Sequence, residues 1–333
     1  MPGAAHIHGI LFVDVDQIVK QDKESGSNKL EYLKSALQTI YDDHLPSEEQ
    51  KDALEAYIDQ FVTCSLKDPE TREIASDVQI HKHTKTCTSR GPDCRFYFPL
   101  FPSLRTIISV PIRLVHPDDE EERKELRDKI NLVLGAVQRV LEDKEEMGRA
   151  DNICREELDK MVENRDYAAR ARKILEDEIF MSQLEKGTAK IYCQRPECPQ
   201  SSVSETQRLL VENLKDLKVH YESLARDHEL QLPAWRKRRL LYVLKKAKLF
   251  KILDVDSSQD GSEELLLQIY HNILGFSLKG FSVVLVRDVD EIYVNKFNSE
   301  WLGVWNANLD FSPVFDFYGI ITYVADYYMK VRH

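Results

Sequence analysis

Two tyrosines and a lysine near the C-terminus have the spacing of a reactive helix face. From about Pro313 the chain has helical periodicity, with Val314, Phe317, Ile321, Val324 and Tyr328 recurring three and four residues apart. Tyr323 and Tyr327 fall off that apolar stripe and are four apart, so they share one face about 6 Å along the axis, with Lys330 one turn further on. Two phenols and an ammonium beside an apolar seam suit a nucleophile pair next to an anion. A phenol with a pKa of about 10 is a weak nucleophile and needs a metal or a base. His6 and His8, at the other end of the chain, open the apolar run HIHGILFVDV. In a strand, residues two apart point to one face, so both imidazoles could bind one divalent ion.

A second constellation is His81-x-His83-x3-Cys87-x6-Cys94. Two imidazoles and two thiolates match the tetrahedral preference of zinc, and Gly91-Pro92 supplies a turn between the cysteines. Four protein ligands leave no open position, so such a site is structural. Phe96, Tyr97 and Phe98 are expected to cap it. The alternative is a buried loop with unrelated thiols, or a site in which His81 is a spectator. Cys193-x4-Cys198 reads as an ordinary loop or as an incomplete metal pair.

The third is a basic run within 233–250 that carries Arg236, Lys237, Arg238, Arg239, Lys245 and Lys246, with Trp235 and Tyr242 interleaved and no acidic residue. It fits a helix lying along DNA phosphates, and equally an amphipathic helix with a solvated basic face that buries Leu240, Leu241, Leu244 and Leu249.

These blocks together resemble the Rep region of Helitron transposases, the Helitron helicase-like domain of the HUH endonuclease superfamily. The resemblance is carried by His6-Ile7-His8 after Gly3-Ala4-Ala5, by IHKHTKTC and CRFYFP (80–87 and 94–99), by VNKFN (294–298), by WNANLD (305–310) and by TYVADYYMK (322–330). It implies a small HUH-type antiparallel sheet and a single-strand DNA nickase of a rolling-circle transposon. His6 and His8 would hold Mg2+ or Mn2+, and Tyr323 or Tyr327 would form a 5′-phosphotyrosine with Lys330 on the phosphate. Where relatives usually carry Gln or Glu this chain has Ser312, so Asp310, two residues back, would stand in as the third metal ligand. Relatives often have Lys where Asp326 stands. The resemblance further implies nuclear residence, single-stranded DNA as partner and a DNA helicase fused downstream. An upstream threonine-bearing strand and that helicase are not in the chain, which therefore reads as a truncated copy. Two other readings remain, a non-catalytic zinc-stabilised DNA-binding remnant and a helical interaction protein.

The elements that must position these groups follow from composition and pattern. A chain of 333 residues with a net charge of −11 disfavours broad nonspecific DNA binding, although a basic groove can coexist with acidic helices. No apolar run of about 20 residues predicts a membrane span, and MPGAAHIHG is no signal peptide. Six cysteines in this length indicate reduced thiols, some on metal, rather than a disulfide framework. Helices are expected over 29–43, 47–64, 68–76, as two long elements within 117–187, then over 204–227, 233–250 and 263–274. The stretch 281–295 reads as a strand with an extended continuation. The expected fold is α+β, with a sheet from the two chain ends (1–16 and 281–333), a helical segment at 29–77, the Cys/His loop at 78–110 and a helical insertion at 117–276.

Overall fold

The computed structural model describes residues 28–315, apart from 69, 86, 88–93, 95, 187–211 and, between 212 and 231, all but 212, 213, 215, 216, 219 and 223. His6, His8, Tyr323, Tyr327, Lys330, Cys193 and Cys198 lie outside the described residues, as does most of the helix expected over 204–227.

Helices α1 (Asn28–Tyr41), α2 (Glu48–Ile58) and α3 (Arg72–Val78) come first. The first two lie where the apolar spacing puts them, and α2 starts at a capping box. Ser47 Oγ accepts from the Gln50 N–H, and the Gln50 side chain accepts from the Ser47 N–H. Strand β1 (Ile107–Pro111) leads through the short α4 (Ile112–Val115) into α5 (Glu120–Glu142), α6 (Lys144–Asn152), α7 (Arg155–Glu176) and α8 (Glu178–Glu185). The span expected to hold two long helices is thus cut into four. Asp143 leaves the helical region (φ −80°, ψ 105°), and its carboxylate caps the amides of Glu145 and Glu146. Cys154 then takes a left-handed conformation at φ 61°, and Asp177 accepts from the Phe180 amide. Periodicity alone does not show a cap inside an amphipathic run.

The basic helix α9 spans residues 232–246. It stops where Lys248 turns left-handed at φ 59°, before α10 (Leu249–Ile252). Helix α11 (Ser262–Leu274), strands β2 (Phe276–Ser277) and β3 (Ser282–Val284), a 3-10 turn at Val289–Glu291 and helix α12 (Ser299–Trp305) follow.

Among the described residues the fold is α+β, mostly helical, with a three-stranded mixed sheet in the order β2-β1-β3. β1 pairs parallel with β2 (Val110 opposite Phe276) and antiparallel with β3 (Ile108 opposite Val283). Its central strand comes from mid-chain, a position the sequence pattern did not mark as a strand. The stretch 281–295 holds the expected strand as β3, which ends at Val284, and its continuation is interrupted by the 3-10 turn between isolated bridges.

All five β1 residues are buried, since helical layers cover both faces. Ile107 enters a core with Val133, Val137 and Leu141 of α5, Leu240 and Leu244 of α9 and Leu266, Tyr270 and Ile273 of α11. Ile108, pointing the other way, enters a core with Leu33, Ala36, Leu54, Ile58, Leu285, Val294 and Phe297. Among the described residues no helix is long and apolar enough to cross a membrane.

Candidate metal centre

The cluster begins with backbone pairing. The segment Ile292–Asn295, just after the 3-10 turn, holds both flanks of the Cys/His loop. On one flank Ile80 bridges Val294, the His81 N–H donates to the Tyr293 carbonyl at 2.7 Å, and the Asn295 N–H donates to the Gln79 carbonyl at 2.8 Å. On the other, the Leu100 N–H donates to the Ile292 carbonyl at 2.8 Å. Ligands thirteen residues apart in sequence are therefore delivered side by side.

One ligand atom from each of His81, His83, Cys87 and Cys94 lies within 4.8 Å of every other. Cys94 Sγ is 3.4 Å from His81 Nε2, and Cys87 Sγ is 3.5 Å from His83 Nδ1. Zinc bonds of about 2.0–2.3 Å put tetrahedral ligand atoms roughly 3.3–3.8 Å apart, so these two pairs stand at zinc spacing. The quartet as a whole, spread to 4.8 Å, could hold a metal ion and has a donor set compatible with zinc. Both thiols are free, and Cys87 is buried. The Thr84 amide donates to Cys87 Sγ at 3.2 Å, and the Cys87 thiol donates to the Thr84 carbonyl at 3.2 Å, so the sulfur is held in place by its own turn. Burial, aided by the neighbouring His83, holds His81 below the ordinary histidine pKa, which favours the neutral form a metal ligand requires. His81 thus sits within the quartet rather than apart from it.

The expected aromatic cap is only partly formed. Phe98 stacks on His81 with ring centroids 4.3 Å apart, and Tyr293 lies beyond Phe98 at 6.3 Å and meets His83 edge-on at 5.8 Å. Phe96 touches His81 only at an edge, and Tyr97 points to solvent. Tyr293 belongs to the stretch read as a strand with an extended continuation, and its part in the cap was not foreseen.

Asp310 is exposed and lies outside this quartet; Ser312 Oγ donates to its Oδ1 at 3.2 Å. Its segment packs on the one that anchors the loop. Asn295 Nδ2 donates to Asn308 Oδ1 at 3.1 Å, and the Phe311 amide donates to the Lys296 carbonyl at 3.0 Å. Asn298 caps α12 and Asn306 closes it in a left-handed conformation, so both serve chain geometry.

The cations of α9 face carboxylates. Lys237 pairs with Glu264, Arg238 with Glu157 at 3.5 Å, Lys245 with Glu263 at 2.5 Å and Lys246 with Glu146 at 3.2 Å. Arg236 is half-buried, and its Nε makes no hydrogen bond. Arg239 corrects the surface expectation, being a core residue only 1% exposed. Its guanidinium meets Asp151 at 3.0 Å, Asp288 at 3.3 Å and Asp290 at 3.4 Å. Lys67 holds Asp290 from the other side at 2.5 Å. Glu291 accepts from the Leu66 amide at 2.8 Å and from the Asp288 amide at 2.9 Å. Burial, with Asp290 alongside, pushes the Asp288 carboxyl up to about 6. This cluster fixes the 3-10 turn that leads into the loop's anchoring segment. Sequence reasoning missed it, although Asp288-x-x-Glu291 is a capping-box spacing that marks a turn start.

Cys64 is no ligand. It is buried, its thiol donates to the Val286 carbonyl at 3.1 Å, and burial raises its pKa to about 11. Comparison with protein-family models, with curated proteins and with solved structures finds no match.

Proposed function

We propose that the chain is a Rep-type nuclease module of a rolling-circle DNA transposon, acting in the nucleus on single-stranded DNA and organised around one structural zinc ion. The observation that carries this reading is the convergence of three motif blocks. The Cys/His block and WNANLD both hydrogen-bond to the chain through Ile292–Asn298, which carries VNKFN. His81, His83, Cys87 and Cys94 would hold the zinc. Closed by four protein ligands, the ion serves to fix the loop and has no position for substrate.

The chemistry proposed for the remaining blocks follows the resemblance. His6, His8 and Asp310 would hold Mg2+ or Mn2+, which when bound neutralises charge on the scissile phosphate. The Tyr323 or Tyr327 oxygen attacks phosphorus, the P–O3′ bond breaks, and the 3′ oxygen leaves as a hydroxyl on taking up a proton. The 5′-phosphotyrosine keeps the phosphodiester energy for rejoining, so no nucleotide cofactor is needed. Lys330 is suited to hold the phosphate by charge.

The test is incubation of the full chain with labelled single-stranded DNA and Mn2+. A covalent protein–DNA adduct, lost in Tyr323→Phe/Tyr327→Phe, is the expected result, and no adduct from zinc-loaded protein refutes it. A second reading, a zinc-stabilised remnant without catalysis, is favoured by the carboxylates facing Lys237, Arg238, Lys245 and Lys246, which leave that helix with little net positive field. It predicts zinc at one ion per chain and no adduct under any metal.

A further inference from the structure

Of the three consecutive aromatic residues after Cys94 and Arg95, two are largely exposed. Phe98 is 6% exposed, whereas Phe96 is 47% and Tyr97 73% exposed. Tyr97 adopts φ +62°, a left-handed conformation that is costly for a bulky residue with a β-carbon. A hydrogen bond from its amide to the Cys94 carbonyl, at 2.8 Å, fixes that turn directly after a ligand of the cluster. Strain of this kind gains nothing in packing, because the ring it displays is in solvent.

One cation is seated against the ring, and two more lie in the same loop. Lys279, on the turn between β2 and β3, places Nζ 5.8 Å from the Tyr97 ring centroid. Lys82 and Lys85, both exposed, lie within the ligand run itself.

We propose that this surface is a stacking platform for single-stranded nucleic acid. A base lies on the Tyr97 ring with Phe96 beside it, and Lys279, Lys82 and Lys85 meet the phosphates. Aromatic faces take up bases only where these are unstacked, which selects single strands over duplex. A lysine against an exposed ring, with exposed Lys82 and Lys85 in the same loop, suits a phosphate backbone, whereas the centres of protein interfaces are depleted in lysine. The platform rests on the proposed function for its class of partner. It deepens that reading by assigning contacts to the structural loop instead of to the basic helix.

The experiment uses the full chain with zinc bound. Binding of a labelled oligodeoxythymidine is measured by fluorescence anisotropy at two salt concentrations, and covalent adduct formation is scored on the same oligonucleotide. Tyr97→Asn removes the ring but keeps a residue that tolerates the left-handed turn. It should weaken binding about tenfold, while Tyr97→Phe should stay within about twofold, both with unchanged zinc content and melting temperature. Lys279→Glu should weaken binding and lower the salt dependence by about one phosphate contact. Tyr97→Asn that binds like the wild type overturns the platform, and so does equal weakening on duplex DNA. Adduct formation with binding indifferent to Tyr97 refutes the platform alone. Tyr97-dependent binding with no adduct refutes the nickase alone.

Discussion

Replacing Arg239 with methionine should destabilise the protein by about 3–5 kcal/mol at neutral pH, the usual cost of stripping one partner from a buried ion pair. The guanidinium is 1% exposed and compensates Asp151, Asp288 and Asp290 at 3.0, 3.3 and 3.4 Å. Methionine fills much of the volume but leaves Asp288 and Asp290 with Lys67, which is bonded to Asp290, and Asp151 with Arg155. Asp288 suffers most, being 1% exposed with no hydrogen bond to its Oδ2. Its pKa, already pushed up to about 6, climbs further once the guanidinium that opposes the rise is gone. For an acid with a raised folded pKa, stability is greatest below the unfolded value of about 3.9. Between the unfolded and the folded pKa it falls by about 1.4 kcal/mol for each step of one in pH, and above the folded pKa it is level. The deficit of the variant should therefore widen from pH 5 to pH 7. Urea unfolding at both pH values, followed by tryptophan fluorescence, measures it, and adding Asp288→Asn should recover part of the loss. A deficit below about 1 kcal/mol at pH 7, or one equal at pH 5, would refute the idea that the cluster is charged and interdependent.

Three further outcomes are expected. Cys87→Ser should lower bound zinc below one ion per chain and depress the melting temperature, and a strong chelator should do the same to the wild type but add little to the variant; elemental analysis with melting curves decides it. Leu244→Ala, at a side chain with no exposure, should cost about 2–5 kcal/mol in denaturant unfolding, whereas a loss under about 1 kcal/mol would mean that the core it shares with α5 and α11 collapses around the gap. Ser47→Ala should cost about 1 kcal/mol and speed amide exchange in the first turn of α2, because it removes the acceptor for the Gln50 N–H.

Much of the helical part was legible because an apolar stripe every three to four residues can satisfy only one geometry. Helices α1, α2 and α11 lie within a few residues of where Leu33, Leu54 and Leu266 imply. The metal quartet was legible too, since donor types and spacing are local properties and four such donors within fourteen residues have few other uses. The catalytic reading stayed an inference from motif order, its His6, His8, Tyr323 and Tyr327 lying outside the described residues.

Chain chemistry alone placed helices such as α1, α2 and α11 and named the four candidate ligands, because helical spacing and donor type are local properties. Which face of the basic helix is inside was decided by tertiary structure. Arg239 looks like its neighbours Arg236 and Arg238 in the sequence, yet it is buried because Asp151, Asp288 and Asp290 arrive from two distant stretches. The same holds for β1, which is a strand because β2 and β3 supply the hydrogen bonds that its own neighbours cannot. Phe98 and Tyr97, adjacent in the chain, part company for the same reason: stacking on His81 takes one ring inside, and a turn beside Cys94 sends the other into water.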